Sequence, residues 1–273
     1  MRFRALIFVA GLGIIFSLSG CLIRETAPVN ASLLITTTQE ASVKNMFVTV
    51  AELESSAGVS PIDTDWPFEK AHYEGVLLKD LVRWMRKTGE GDALVVHCRD
   101  GFRAVFPLEF IQKYPAGLVT KVNDKRPHRW KSYKGREMGF YVALPSKSFP
   151  ELNDSQYGNF WPWQVQGLEL VKLSLFLGRA DLSSNPRATA SIREGQKAFV
   201  AQCIHCHEAL GQGGDKGPDL SKAVANHAED SFVKYVKNPK ALYPNSQMPG
   251  FERVLSDQKL KSIFTYLNAL AKP

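Results

Sequence analysis

The sequence predicts two domains of different class: a mixed-sheet α+β domain over residues 43–177 and an all-α domain over 191–273. Three observations carry this. In the first segment, short β-prone runs alternate with an apolar stripe at helical spacing. In the last, two helical stretches flank a cysteine cluster and a glycine-rich loop. Between them, residues 178–190 are polar, contain Gly and Pro, and read as a linker.

Composition narrows the function class. The chain has 273 residues, 44% hydrophobic and 22% charged, which is ordinary globular usage. A formal charge of +7, from 34 Lys and Arg against 27 Asp and Glu, is spread along the chain. Nothing matches a zinc finger, an RNP strand or a basic zipper, so a nucleic-acid partner is not expected. Four cysteines exclude a disulfide-rich scaffold. No internal repeat is visible.

Residues 1–20 read as a signal peptide. Arg2 and Arg4 precede an apolar run from Ala5 to Phe16, and Leu18-Ser19-Gly20 ends in small residues before Cys21. The run falls short of the roughly 20 residues a spanning helix needs. Leu-Ser-Gly-Cys resembles the lipobox of bacterial lipoproteins, which implies that Cys21 is lipidated and that residues 21–42 are a tether to a membrane. The alternative is an ordinary cleaved signal with a coincidental cysteine. Leu22 and Ile23 follow Cys21 where an acidic residue is absent, which favours the outer membrane.

In the first domain, Met46 to Leu53 is a β-prone run turning into a short helix. Leu77, Leu78, Leu81, Val82 and Met85 have helical spacing. Leu94 to Cys98 reads as a strand ending at the turn signal Arg99-Asp100-Gly101. Phe140 to Pro145 and Val165 to Leu170 read as two more strands, with loops over 145–158. Alternation puts Cys98 on the face of Leu94 and Val96, as a buried inert thiol, and points His97 the other way. Residues 121–136 are the densest basic stretch, either a solvated hairpin or a docking patch for an acidic redox partner or anionic lipid.

In the second domain, Cys203-Ile204-His205-Cys206-His207 is C-x-x-C-H, the attachment pattern for c-type haem. On a helical turn, positions i, i+3 and i+4 share a face, so two thiols can reach the haem vinyl groups while His207 meets the iron. A zinc half-site would need a second ligand pair, and a redox dithiol would not need His207. His205, between the cysteines, is expected to point outward. Ser191 and Glu194 have capping-box spacing at the start of the first helix. Ser256 can cap the last helix, Leu255 and Leu260 can staple it, and Leu260, Ile263, Phe264, Leu267 and Leu270 form one apolar face. Met248, in Gln247-Met248-Pro249-Gly250, is the only methionine after residue 138 and is the expected sixth iron ligand. His227 is the rival. His/Met ligation fills both axial positions and suits electron transfer rather than catalysis.

Residues 191–273 resemble a class I cytochrome c domain. The resemblance implies that Gly195 and Phe199 let the first helix cross tightly against the last. It also implies that the Pro218 carbonyl, in the loop Gly211 to Leu220, accepts a hydrogen bond from the iron-bound His207. In the first domain, Tyr73 to Leu81, Arg99 to Ala104 and Trp161 to Val165 together resemble the molybdopterin-binding domain of the sulfite-oxidase-like fold. The match is patchy. Catalytic members present a cysteine to molybdenum from a loop, whereas Cys98 ends a strand, so molybdopterin is not expected.

The resulting expectation is a periplasmic, lipid-anchored cytochrome with one covalent haem c. It would pass single electrons to redox partner proteins, with the first domain as a non-catalytic docking module. One alternative is a molybdenum-dependent oxidoreductase with a fused cytochrome acceptor, for which Cys98 would be essential. Another is a binding protein whose partner affinity follows the haem's redox state.

Overall fold

The computed structural model describes residues 32–39, 42–126, 139–224 and 227–271. The expected signal segment, Cys21, and Arg129, Lys131, Lys134 and Arg136 of the basic stretch lie outside them. The described chain opens with the antiparallel hairpin β1 (Ser32–Gln39) and β2 (Ser42–Thr49). Thr49 then starts α1 (Val50–Ala57) without a loop. Its hydroxyl accepts from Glu52 N while Glu52 Oε2 accepts from Thr49 N, a reciprocal cap.

β3 (Ser60–Pro61), β4 (Tyr73–Leu77), α2 (Leu78–Met85), β5 (Ala93–Cys98), β6 (Arg103–Pro107) and α3 (Leu108–Lys113) follow. β7 (Gly117–Val122), β8 (Phe140–Ala143) and β9 (Trp163–Val171) complete the sheet domain. The expected loop over 145–158 contains two 3-10 segments, Pro150–Asn153 and Ser155–Phe160. α4 (Leu173–Leu177) leads into the helical domain. That domain comprises α5 (Ala190–Gln202), the two-residue strands β10 (Glu208–Ala209) and β11 (Gln212–Gly213), α6 (Leu220–Ala223), α7 (Glu229–Lys237), α8 (Pro239–Leu242) and α9 (Asp257–Ala271). It is therefore helical apart from one small β-pair.

Among the described residues nine strands form one mixed sheet, in the order β2-β1-β9-β8-β7-β4-β3, with β5 and β6 branching from β9. β9 is the hub. Its start pairs with β8, most of its length pairs antiparallel with β5, and Gly167 to Leu170 run parallel to β1. This corrects the expected tether over 21–42. Leu33, Ile35 and Thr37 are buried at a period of two, so Ser32–Gln39 is a sheet strand and the domain reaches back at least to residue 32.

The sheet buries both faces of β5. Leu94, Val96 and Cys98 join Leu53, Leu81 and Met85 in one core under α1 and α2. Ala93 and Val95, with Val105 and Val171, join Phe199, Ile204, Tyr266 and Leu267 of the helical domain in a second core. The sheet domain thus has a core of its own, and the helical domain's core is completed by one face of the sheet. Strands buried on both faces read as continuous apolar runs, which is why Leu94-Val95-Val96 shows no polar alternation.

The expected linker over 178–190 is also corrected. Ala180 is fully buried and its carbonyl accepts from Tyr266 Oη at 2.8 Å. Gln196 Oε1 accepts from Leu182 N at 2.8 Å while Gln196 Nε2 donates to Asp181 Oδ1 at 2.6 Å. Polar composition there reflects hydrogen bonding to α5 and α9, not freedom. The start of α5 shifts accordingly: Thr189 is the N-cap, accepting from Ile192 N, while Ser191 Oγ reaches Ser262 Oγ at 3.3 Å. Burying these paired groups leaves the apolar surplus of Phe199 and Tyr266, whose rings lie 5.5 Å apart, to hold the helices together.

Candidate functional site

The helices α5 and α9 set the site by how closely they cross. A Cβ on Gly195 would collide with the Ser262 carbonyl and lie 2.8 Å from Tyr266 Cβ, so only glycine allows this approach. Phe199, one turn on, is fully buried beside Tyr266. At the other end of the crossing, Ser256 Oγ accepts from Lys259 N, and Leu255 and Leu260 are both buried, as capping and stapling require.

α5 ends at Gln202, and Cys203 to His207 form a tight turn. Cys206 N donates to Cys203 O at 3.2 Å and His207 N to the same carbonyl at 3.0 Å, which brings positions 203, 206 and 207 together. Cys203 and Cys206 are free thiols, the first buried and the second half-buried. Burial pushes the Cys203 thiol up to about 12 and raises that of Cys206 as well.

His207 is buried, and its Nδ1 lies 2.8 Å from the Pro218 carbonyl. A carbonyl can only accept, so Nδ1 carries the proton and Nε2 keeps its lone pair. Burial lowers the affinity of this imidazole for a second proton, against the opposing hydrogen bond to Pro218. Gly217 lies flat on the ring, where a Cβ would stand 2.6 Å from Nδ1. Gly217 N in turn donates to Cys206 O at 2.7 Å, tying the glycine-rich loop to the cysteine turn. A neutral imidazole with an oriented free nitrogen beside two thiols is the donor set that covalent haem attachment requires. Among the described residues no group of three or more His, Cys, Asp and Glu could hold a metal ion, as a closed zinc site would need.

Met248 is half-buried against the core that contains Phe199 and Leu267, with its N–H on Ser246 Oγ at 3.3 Å. His227, its rival, is exposed. His205 departs from expectation. It is fully buried, not outward, and is bonded to the sheet domain. The x positions of C-x-x-C-H carry no sequence signal of their own; the two-faced burial of Leu94 to Val96 was the available hint that something covered the sheet.

In the sheet domain, Cys98 ends β5 at 8% exposure, in the core with Leu94 and Val96. Burial pushes its thiol up to about 12, with Asp100 adding to the rise. His97 points the other way and pairs with Glu169 Oε2 at 3.0 Å. The described part of the basic stretch is structural. Arg126 makes two bonds of 2.6 and 2.7 Å to Glu54, and Lys121 pairs with Glu74 at 3.6 Å. Among the described residues no helix is long and apolar enough to cross a membrane.

Residues 190–267 match the family model described as cytochrome C oxidase, cbb3-type, subunit III. No curated protein matches the chain. The helical part is a cytochrome c domain, and the protein is a haem protein of electron transfer.

Proposed function

We propose that the protein is an exported, lipid-anchored cytochrome that passes single electrons between partner proteins, with the sheet domain as a docking and positioning module. The observation that carries it is the His207–Pro218 bond at 2.8 Å, which leaves Nε2 as an oriented ligand next to Cys203 and Cys206. The two thiols would form the covalent links, and His207 and Met248 would hold the iron. A haem c held there supplies an iron that changes oxidation state by one electron without an open coordination position. This chain's residues supply the rest: Pro218 fixes the imidazole, Gly217 lets the loop close on it, and the core around Phe199 keeps water away.

The half-buried placement of Met248 beside that core, against the exposed His227, supports His/Met ligation. The buried thiol of Cys98 supports a non-catalytic sheet domain over a molybdenum enzyme. The lipobox-like sequence supports anchoring through Cys21, and the haem-attachment motif behind a signal segment supports a periplasmic location.

The test is metal content and mass of mature protein from a host competent in haem attachment and molybdenum-cofactor synthesis. One iron per chain, one covalent haem and no molybdenum are expected. Stoichiometric molybdenum would replace this reading with the oxidoreductase.

A further inference from the structure

The sheet domain touches the cysteine turn at its centre. Among the described residues β6 pairs with β5 alone, so one of its edges has no strand partner. Two N–H groups on that edge are taken by a single residue of the helical domain. Arg103 N donates to the His205 carbonyl at 2.8 Å, and Val105 N lies 3.2 Å from His205 Nδ1. His205 Nε2 lies 3.1 Å from the Ala201 carbonyl, which can only accept. The proton therefore sits on Nε2, and Nδ1 accepts from Val105. The Arg103 carbonyl, also 3.2 Å from Nδ1, is then a neighbour and not a partner. The ring is stacked on Phe102 at 5.8 Å and meets Phe160 edge-on at 5.8 Å.

The glycine-rich loop carries a second clamp. Asp215 N donates to the Gly101 carbonyl at 3.1 Å, and Lys216 pairs with Asp100. His205 stands two residues before His207, and Lys216 stands two residues before Pro218, whose carbonyl holds His207 Nδ1. The β5–β6 hairpin thus grips both the chain that carries the proximal histidine and the loop that orients it.

We infer that His205 is a positioning residue of the haem centre, through which the β5–β6 hairpin of the sheet domain sets the iron's reduction potential. The inference rests on the haem reading of residues 203–218. Its physical basis is that the potential follows the hydrogen bond to the ligand imidazole and the exclusion of water, and both depend on where this turn is held. It gives the sheet domain a role in electron transfer without chemistry of its own.

The experiment compares full-length wild type with His205→Ala, His205→Gln and Phe102→Leu. Each is followed by redox titration of the haem absorbance and by hydrogen exchange at the Arg103 and Val105 amides. His205→Ala should expose the Val105 amide to exchange and shift the potential. His205→Gln, whose amide can accept from Val105 and donate to Ala201, should return both most of the way. Phe102→Leu, made entirely in the sheet domain, should shift the potential in the same direction as His205→Ala, and it keeps the inference testable where the alanine variant does not fold. Faster exchange with an unchanged potential would reduce His205 to a structural strut and overturn the inference, as would a glutamine variant no closer to wild type than alanine. A wild-type chain without haem would overturn the haem reading itself; the exchange comparison, which needs no iron, reports separately on the His205 clamp.

Discussion

Cys98 in the sheet domain and Cys203 in the helical domain are equally buried, each 8% exposed, and burial pushes both thiols up to about 12. Their surroundings differ. Cys203 heads a turn whose backbone bonds gather Cys206 and His207, and a carbonyl orients that histidine. Cys98 ends a strand, with its backbone N–H on Phe102 O and its side chain among Leu94 and Val96. Burial and thiol acidity therefore do not mark a reactive cysteine here. What differs is the convergence of Cys206 and an oriented His207 on Cys203, and the same contrast separates the two domains.

The sharpest test of that contrast removes the ligand set. His207→Ala should remove one iron ligand and with it the wild-type single-electron titration, while a Cys203→Ala, Cys206→Ala double variant should lose covalent haem entirely by mass. Retained covalent haem in the double variant would break the comparison. Next in size is the crossing that builds the site. Gly195→Ala drives a methyl into the Ser262 backbone, and overpacking of this kind should cost about 3 kcal/mol or more, seen as a lower denaturation midpoint.

The third test falls on the sheet domain. Cys98→Ser keeps the volume but places a hydroxyl in an apolar core, at a cost of about 1–3 kcal/mol in stability. Iron content, haem spectrum and potential should stay at wild-type values. Loss of an oxidoreductase activity or of bound molybdenum in this variant would restore Cys98 as a ligand and dissolve the contrast.

The two domains were also unequally legible in the sequence. C-x-x-C-H, the Gly195–Phe199 spacing and the stapled α9 could be read because each is a local pattern with a local physical cause. In the sheet domain the runs around Met46, Leu94, Phe140 and Val165 could be read as strands, but not their order, since pairing such as β1 beside β9 joins residues more than a hundred apart. Ser32 to Gln39 looked like a tether because Thr36, Thr37 and Thr38 are polar, although their β-branched stems and the period of two suit a strand. The burial of His205 could not be read locally: its partners in the sheet domain lie on β6, a hundred residues earlier, and nothing near position 205 encodes them. Segment 178–190 misled for a related reason, because the groups it bonds to belong to α5 and α9.

The smallest expected effect is the pH dependence contributed by one carboxyl of the sheet domain. Glu54 on α1 accepts from Arg126 through both oxygens and from Thr120 at 2.6 Å. Burial pushes this carboxyl up, but the bonds to Arg126 and Thr120 outweigh it and hold it below the ordinary glutamate range. A carboxyl depressed in the folded state contributes stability that is fully present above its unfolded value and is lost as pH falls through its folded value. Glu54→Gln should therefore destabilise by about 1 kcal/mol at neutral pH, the worth of a partly exposed paired carboxylate. The difference from wild type should shrink below roughly pH 4, where both unfolded and folded carboxyls take up protons. Asp181 and Asp219, the depressed carboxyls of the helical domain, are untouched by the substitution. Because one face of the sheet completes the helical domain's core, unfolding should remain one transition whose midpoint moves as a whole. Two separate transitions, with only the first responding to Glu54→Gln, would show that the sheet domain comes apart from the haem domain on its own, and that the core between them is too weak for the hairpin to hold the cysteine turn.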